Sequence, residues 1–230
     1  MTYLGTVHGT LAALKHMRTR NYGSIVQVGS ALAYRSIPLQ SAYCAAKAAV
    51  RGFTDSLRSE FIHERSHVHV TMLQLSAFNT PQFDWARNRM RMRLQPVPPI
   101  FQPEIAARAI VWAAGRERRE LWVGWPAVKA ILSSRLFPGI GDRIAARRAY
   151  DGQQTDEPAT GPRDGNLSEP APGSQGAHGR FDACSRTSSG QLWWSMHRAR
   201  VATAATVAVA ASALLVALSR PRGSSSRRRS

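Results

Sequence analysis

Cysteine, acidic charge and a leader are what this chain has least of. Its two cysteines, Cys44 and Cys184, stand far apart and outside any metal-ligand spacing, which argues against a disulfide framework or a zinc site. The opening stretch, MTYLGTVHGTLAALKHM, has no basic region followed by an apolar run and a small-residue cleavage site. It does not read as a signal peptide. Asp and Glu number 14 against 31 Lys and Arg, a net charge of +17. That excess is spread along the chain, with small clusters at Arg116/Arg118/Arg119, Arg147/Arg148 and Arg227/Arg228/Arg229. No basic stripe with interleaved aromatics is formed, so the expectation is no nucleic-acid partner. The last cluster follows an apolar segment and suits anionic lipid better.

The chain is long enough, at 230 residues with 43% apolar content, for one medium α/β domain and an additional segment. Leu4, Leu11, Leu14 and Met17 recur at helical spacing and end near Asn21-Tyr22-Gly23, a helix stopped by a turn. Ser24 to Val28 reads as a buried strand, Ser41 to His63 as a long helix, and Val68 to Leu75 as the next strand. Strand, long helix, strand predicts a parallel sheet with crossover helices. Asn79 to Pro99 is a polar, arginine-rich stretch bounded by proline, of the kind that covers a binding site. Phe83, Trp85 and Met90 within it suggest an apolar pocket wall or simple packing. A helix follows Pro103 to about Ala114, with Glu104 in its first turn, and Glu120 to Trp125 reads as a last strand.

Composition changes at Asp151, where Pro, Gly, Ser, Asp and Gln take over until Gly190. This predicts a disordered linker, because too little apolar surface is available to offset ordering entropy. Val201 to Leu218 carries no charge and spans roughly 27 Å as a helix, at about 1.5 Å per residue. Trp193 and Trp194 precede it, and Arg198, Arg200, Arg220 and Arg222 flank it. A single-pass membrane anchor is expected, with an alanine-rich soluble helix as the alternative. The predicted organisation is therefore an α/β domain over 1–150, a flexible linker over 151–200, a candidate transmembrane helix over 201–218 and a basic tail over 219–230. The domain over 1–150 is expected at the membrane, on the cytoplasmic side.

Tyr43 and Lys47 stand four apart in SAYCAAKAAV, on one face of the long helix. A phenol near its ordinary pKa of about 10 is a poor base at neutral pH. A neighbouring ammonium favours the phenolate, so the pair is expected to form a usable proton shuttle. Ser30 ends the strand IVQVGSA, at the edge where parallel sheets gather ligands, and a serine there can polarise a substrate carbonyl. Its plainer reading is a turn or capping serine. Ala42, Cys44, Ala45, Ala46, Ala48 and Ala49 surround the tyrosine, either as close packing or as room for a helix or cofactor.

Gly29-Ser30, the thirteen-residue interval, Tyr43-x-x-x-Lys47 and the following Ala-Val-Arg-Gly-Phe resemble the catalytic segment of the short-chain dehydrogenase/reductase family. The resemblance runs from residue 1 to about residue 135. It implies the C-terminal half of that family's Rossmann-like domain, a partial parallel sheet with crossover helices. It also implies hydride transfer between NAD or NADP and a small-molecule carbonyl/alcohol substrate. In that frame Tyr43 is the general acid/base and Lys47 holds the nicotinamide ribose and depresses the tyrosine pKa. Ser30 orients the substrate oxygen, Thr80 touches the nicotinamide carboxamide, and the long helix forms a homodimer. Departures are visible. Thr2 stands where the family often has asparagine three residues before a glycine, and Leu75-Ser76-Ala77-Phe78-Asn79-Thr80 lacks the usual Pro-Gly. No T-G-x-x-x-G-x-G turn after a strand is present, so the main cofactor motif is missing. A truncated or misassigned start explains this, and a non-catalytic, membrane-tethered relic or interaction protein is the alternative.

Overall fold

The computed structural model describes residues 2–159, 165, 166 and 168–219, with side chains as far as Ser212. Two units are distinguished, Met1–Leu192 and Trp193–Ser230.

In the first unit the predicted helices and strands form where periodicity places them. Helix α1 covers Thr2–Arg20 and leads through a turn at Asn21 (φ 46°) into β1, Gly23–Ser30. Helix α2 covers Ser41–His63, with Cys44, Val50, Thr54, Leu57 and Phe61 buried at helical spacing. Strand β2, Val68–Leu75, pairs in parallel with β1, Gly23 opposite Val68 and Ser30 opposite Leu75. Short strands β3 (Ala77–Phe78), β4 (Met92–Leu94) and β5 (Ile100–Phe101) follow, with helix α3 (Gln82–Trp85) between the first two. Helix α4 (Pro103–Ala114) starts on its proline, as expected for a residue without a backbone N–H. Strand β6 (Glu120–Val123) then completes a three-stranded parallel sheet in the order β1-β2-β6.

The core explains why apolar residues fill five of the eight positions of β2, with His69, Thr71 and Gln74 between them. Val68 and Val70 join Leu14, Ile25, Leu57 and Phe61 in one cluster beneath α1 and α2. Thr71 and Leu73, on the opposite face, are also fully buried. A central strand covered on both faces needs this composition.

Helices α5 (Trp125–Leu136) and α6 (Pro138–Ile144) follow, and β7 (Gln154–Pro158) pairs antiparallel with β4. β3 and β5 pair in parallel. Here the expected linker over 151–200 needs correction. Gln153 is buried, and Phe181, Gln191 and Leu192 are buried within the first unit. The tie is largely polar: Phe181 N–H donates to Asn79 Oδ1 (3.1 Å), and Arg186 N–H donates to the Ile100 carbonyl (2.9 Å). Hydrogen bonds offset the ordering entropy that apolar content could not.

Helix α7 spans Gly190–Ser219. The expected transmembrane helix over 201–218 is not supported: among the described residues no helix is long and apolar enough to cross a membrane. The part of that span with described side chains, 201–212, is half alanine, with valine, threonine and serine, and Arg198 and Arg200 precede it on the same helix. The side chains of residues 213–219 and the basic tail from residue 220 lie outside the described residues.

Candidate functional site

A glycine precedes Ser30 because β2 leaves no room for anything larger. A Cβ on Gly29 would come within 2.5 Å of the Met72 side chain and 2.7 Å of the Leu73 carbonyl oxygen. The tight pairing sets Ser30 at the C-terminal edge of the sheet, opposite Leu75, with 7% of its surface exposed. Its Oγ accepts from the Leu32 N–H (3.1 Å) and so caps the single 3-10 turn Ala31–Ala33. The capping reading of Ser30 is met, and the capped side chain stays at the sheet edge.

The chain between Ser30 and α2 is held at several points. Ser134 Oγ donates to the Tyr34 carbonyl, and Arg35 donates to Asp142 and to the Pro138 carbonyl (3.2 Å). Gln153 Nε2 donates to the Pro38 carbonyl (2.9 Å), and Gln40 Nε2 donates to Gln153 Oε1 (2.6 Å). Gln153 thus fixes the loop from which α2, and with it Tyr43, departs. It stands in the stretch read as linker, where nothing in composition distinguishes it from its exposed neighbours.

From α2, Tyr43 and Lys47 reach the same edge. Lys47 Nζ donates to the Val28 carbonyl (2.9 Å) and lies 5.7 Å from the Tyr43 ring centre. Tyr43 keeps 40% of its surface exposed. Burial of its hydroxyl end pushes the phenol pKa above the ordinary value, and hydrogen bonding with Ser30 opposes this without overcoming it. Burial also lowers the Lys47 pKa. The expected depression of the tyrosine pKa by the ammonium is corrected here: desolvation acts in the other direction and prevails. Ala42, Ala45 and Ala48 are exposed, so this small-residue face is open and is not core packing.

Ser30, Tyr43 and Lys47 are brought together; Thr80 is not joined to them. It follows β3, beyond the same sheet edge, and its N–H donates to the Phe78 carbonyl (3.0 Å). Its neighbour Asn79 is the residue that sequence reasoning passed over. Fully buried, Asn79 donates from Nδ2 to Gln102 Oε1 (3.1 Å) and to Asp182 Oδ1 (2.8 Å). Asp182 Oδ1 also meets His178 Nδ1 (2.9 Å), whose Nε2 meets Glu104 Oε1 (2.6 Å). Phe83, expected as pocket wall, packs edge-on against Phe181 at 5.9 Å between ring centres.

A family profile described as short chain dehydrogenase matches residues 1–90. An uncharacterised oxidoreductase of Bacillus subtilis, YxnA, is 33% identical over 68% of this chain and 45% of its own length. A putative oxidoreductase of Mycobacterium tuberculosis, SadH, is 32% identical over 63% of this chain and 55% of its own. The chain spans about half the length of the curated relatives it matches. A short chain dehydrogenase from Burkholderia cenocepacia, solved in complex with NADP, superposes with a TM-score of 0.50 at 24% identity. That match covers 64% of this chain and 55% of the other, and bears on the fold alone.

Proposed function

The chain belongs to the short-chain dehydrogenase/reductase family, and from that premise we propose an oxidoreductase moving a hydride between NAD or NADP and a carbonyl/alcohol substrate. The observation that carries the reading is the meeting of Ser30, Tyr43 and Lys47 at the C-terminal edge of a parallel sheet. That edge is where open α/β sheets take their ligands.

The residues fit one end of the cofactor. Lys47 gives one of its three ammonium protons to the Val28 carbonyl, which leaves two for the ribose hydroxyls. Thr80, past the same edge, is assigned to the carboxamide. No residues of this chain are assigned to the pyrophosphate, since no glycine-rich turn follows a strand. Nicotinamide bound here supplies or accepts the hydride. The Ser30 oxygen accepts from Leu32 N–H and its hydroxyl hydrogen-bonds Tyr43, so a substrate oxygen entering between the two side chains would take over that bond and be polarised by it. With its pKa raised, Tyr43 is protonated at neutral pH. It is set up to donate its proton to the oxygen as the carbonyl is reduced, and to take it back in the oxidative direction.

Thermal unfolding with NAD or NADP added tests the reading, because a ligand of the native state raises stability by about 2.7 kcal/mol at one hundred times its Kd. Tyr43→Phe should then abolish turnover while keeping the cofactor-induced shift. Retained turnover in that variant removes the role given to Tyr43. A melting curve indifferent to both cofactors favours the non-catalytic interaction protein instead.

A further inference from the structure

The opposite edge of the sheet carries a feature that the dehydrogenase reading does not use. Gly23 and Val68 begin β1 and β2, seven residues before Ser30 and Leu75, so this edge lies about 23 Å from the Ser30 edge at ~3.3 Å per residue. A cavity of about 450 Å³ opens there between the end of α2, the start of β2 and the turn before β6. Arg58, Arg65, Arg118, Arg119, His67 and His69 line it, with Glu117 as the single carboxylate among the lining residues.

Two of these cations are already committed. Arg58 and Arg119 both donate to Asp55 Oδ1, at 2.6 and 2.8 Å. Arg65 and Arg118 are not ion-paired among the described residues; Arg118 lies 5.5 Å from the face of Trp112. Arg65 is held at φ 51° in the turn that follows α2. Both ring nitrogens of His69 are buried and lack a hydrogen-bond partner. Unpaired buried polar atoms cost free energy, and an acceptor entering the cavity relieves that cost. Ile62, exposed at the end of α2, supplies an apolar face beside the charges. Two guanidinium groups without an ion pair, an unsatisfied imidazole and an apolar side together match a dianion carrying a small organic group.

We infer that this cavity is a binding site for a small organic phosphomonoester, separate from the Tyr43 site. Arg65 and Arg118 hold the phosphate, His69 donates to one of its oxygens, and the organic group lies on Ile62.

Titration of the full chain with phenyl phosphate, followed by thermal shift and calorimetry at constant ionic strength, tests this. Saturable binding is expected, tighter than that of inorganic phosphate because of the apolar face. The double variant Arg65→Gln/Arg118→Gln should weaken it by at least about tenfold, each charge-assisted contact being strong. Glu117→Gln should tighten it by removing the opposing carboxylate, and this variant guards against a loss caused by misfolding. Lys47→Met, at the far edge, should leave the affinity unchanged. Absence of saturable binding overturns the inference. So does equal affinity in the double variant, or a loss of binding in Lys47→Met, which would place the anion at the dehydrogenase edge.

Discussion

Asn79→Ala offers the sharpest test of how the segment after residue 176 is held against the sheet edge. The native side chain is fully buried and makes three hydrogen bonds: to Gln102 (3.1 Å), to Asp182 (2.8 Å) and from the Phe181 N–H (3.1 Å). Truncation leaves the Phe181 N–H unpaired, with Phe181 itself 7% exposed, and removes the donor to Gln102, which is 8% exposed. An orphaned buried group costs ~1–3 kcal/mol, so the two together are worth about 3 kcal/mol. Asp182 is exposed and recovers its loss from water, so it is left out of the sum. For a unit of this size that corresponds to a fall in Tm of about 9 °C, measured by calorimetry alongside hydrogen exchange of residues 177–187. Asn79→Asp sharpens the comparison. It keeps the bond from Phe181 but sets a second carboxylate against Asp182. At pH 7 it should be less stable than Asn79→Ala, and the order should reverse as acid protonates the pair. Were Asn79→Asp the more stable at pH 7, or protection of 177–187 intact in both variants, the hub assigned to Asn79 would be wrong.

Three further outcomes follow from the same contacts. Thr10→Val removes the acceptor for buried Gln27 Nε2 (2.7 Å) and should cost about 2 kcal/mol; Thr10→Val/Gln27→Leu should recover much of it in chemical denaturation. The Glu104–His178–Asp182 contacts should give a bell-shaped pH dependence of hydrogen-exchange protection at 177–187. His178 is raised by its bonds to Asp182 and then Glu104, so its contribution is full below the unfolded value near 6.5 and lost as pH rises through the higher folded value. Glu104, lowered by backbone bonding and His178, and Asp182, lowered by His178 and Gln102, contribute above the unfolded carboxylate range, and the contribution is lost as pH falls through their folded values. His178→Gln should abolish the alkaline limb, and an unchanged limb refutes the assignment. Ser30→Ala should raise the Tyr43 pKa further in an ultraviolet titration, since its hydrogen bond opposes burial; a fall would mean that burial is not the dominant cause.

Elements whose signal is local were legible in the sequence. Helix α2 matched from Ser41 to His63 because its apolar stripe recurs every three or four residues over six turns. Strand β2 matched because valine, methionine and leucine fill five of its eight positions, as a strand buried on both faces favours. Ser30, Tyr43 and Lys47 were found through spacing, which a strand end and one helix turn convert directly into proximity. What escaped is non-local and polar. Strands β3, β4 and β5 are two or three residues long and are formed by partners rather than by propensity. The 151–192 stretch looked too poor in apolar residues to order, yet Asn79, Gln153 and Asp182 bind across roughly a hundred positions of chain. Composition cannot tell which glutamine will be buried. The direction of the Tyr43 pKa was missed for a related reason, because sequence shows the neighbouring charge but not the depth of burial.

The two edges of the sheet differ in chemistry because each helix must carry the chain back from one to the other. Helix α2 starts beside Ser30 with Tyr43 and ends at the arginine-lined cavity with Phe61, a rod of roughly 34 Å at 1.5 Å per residue. Its first turns bear small, exposed residues and the ionisable pair; its last turns bear Arg58 and the core residues Leu57 and Phe61. The proposed hydride chemistry would use the first end, where burial disfavours the charged forms of both Tyr43 and Lys47. At the second end, a cation cluster with a single carboxylate among its lining residues serves no proton transfer at the far edge. Two of its guanidinium groups, on Arg65 and Arg118, have no ion pair among the described residues, and an anion would compensate them. The cavity is therefore better explained by a ligand of its own than by the reaction at the other edge.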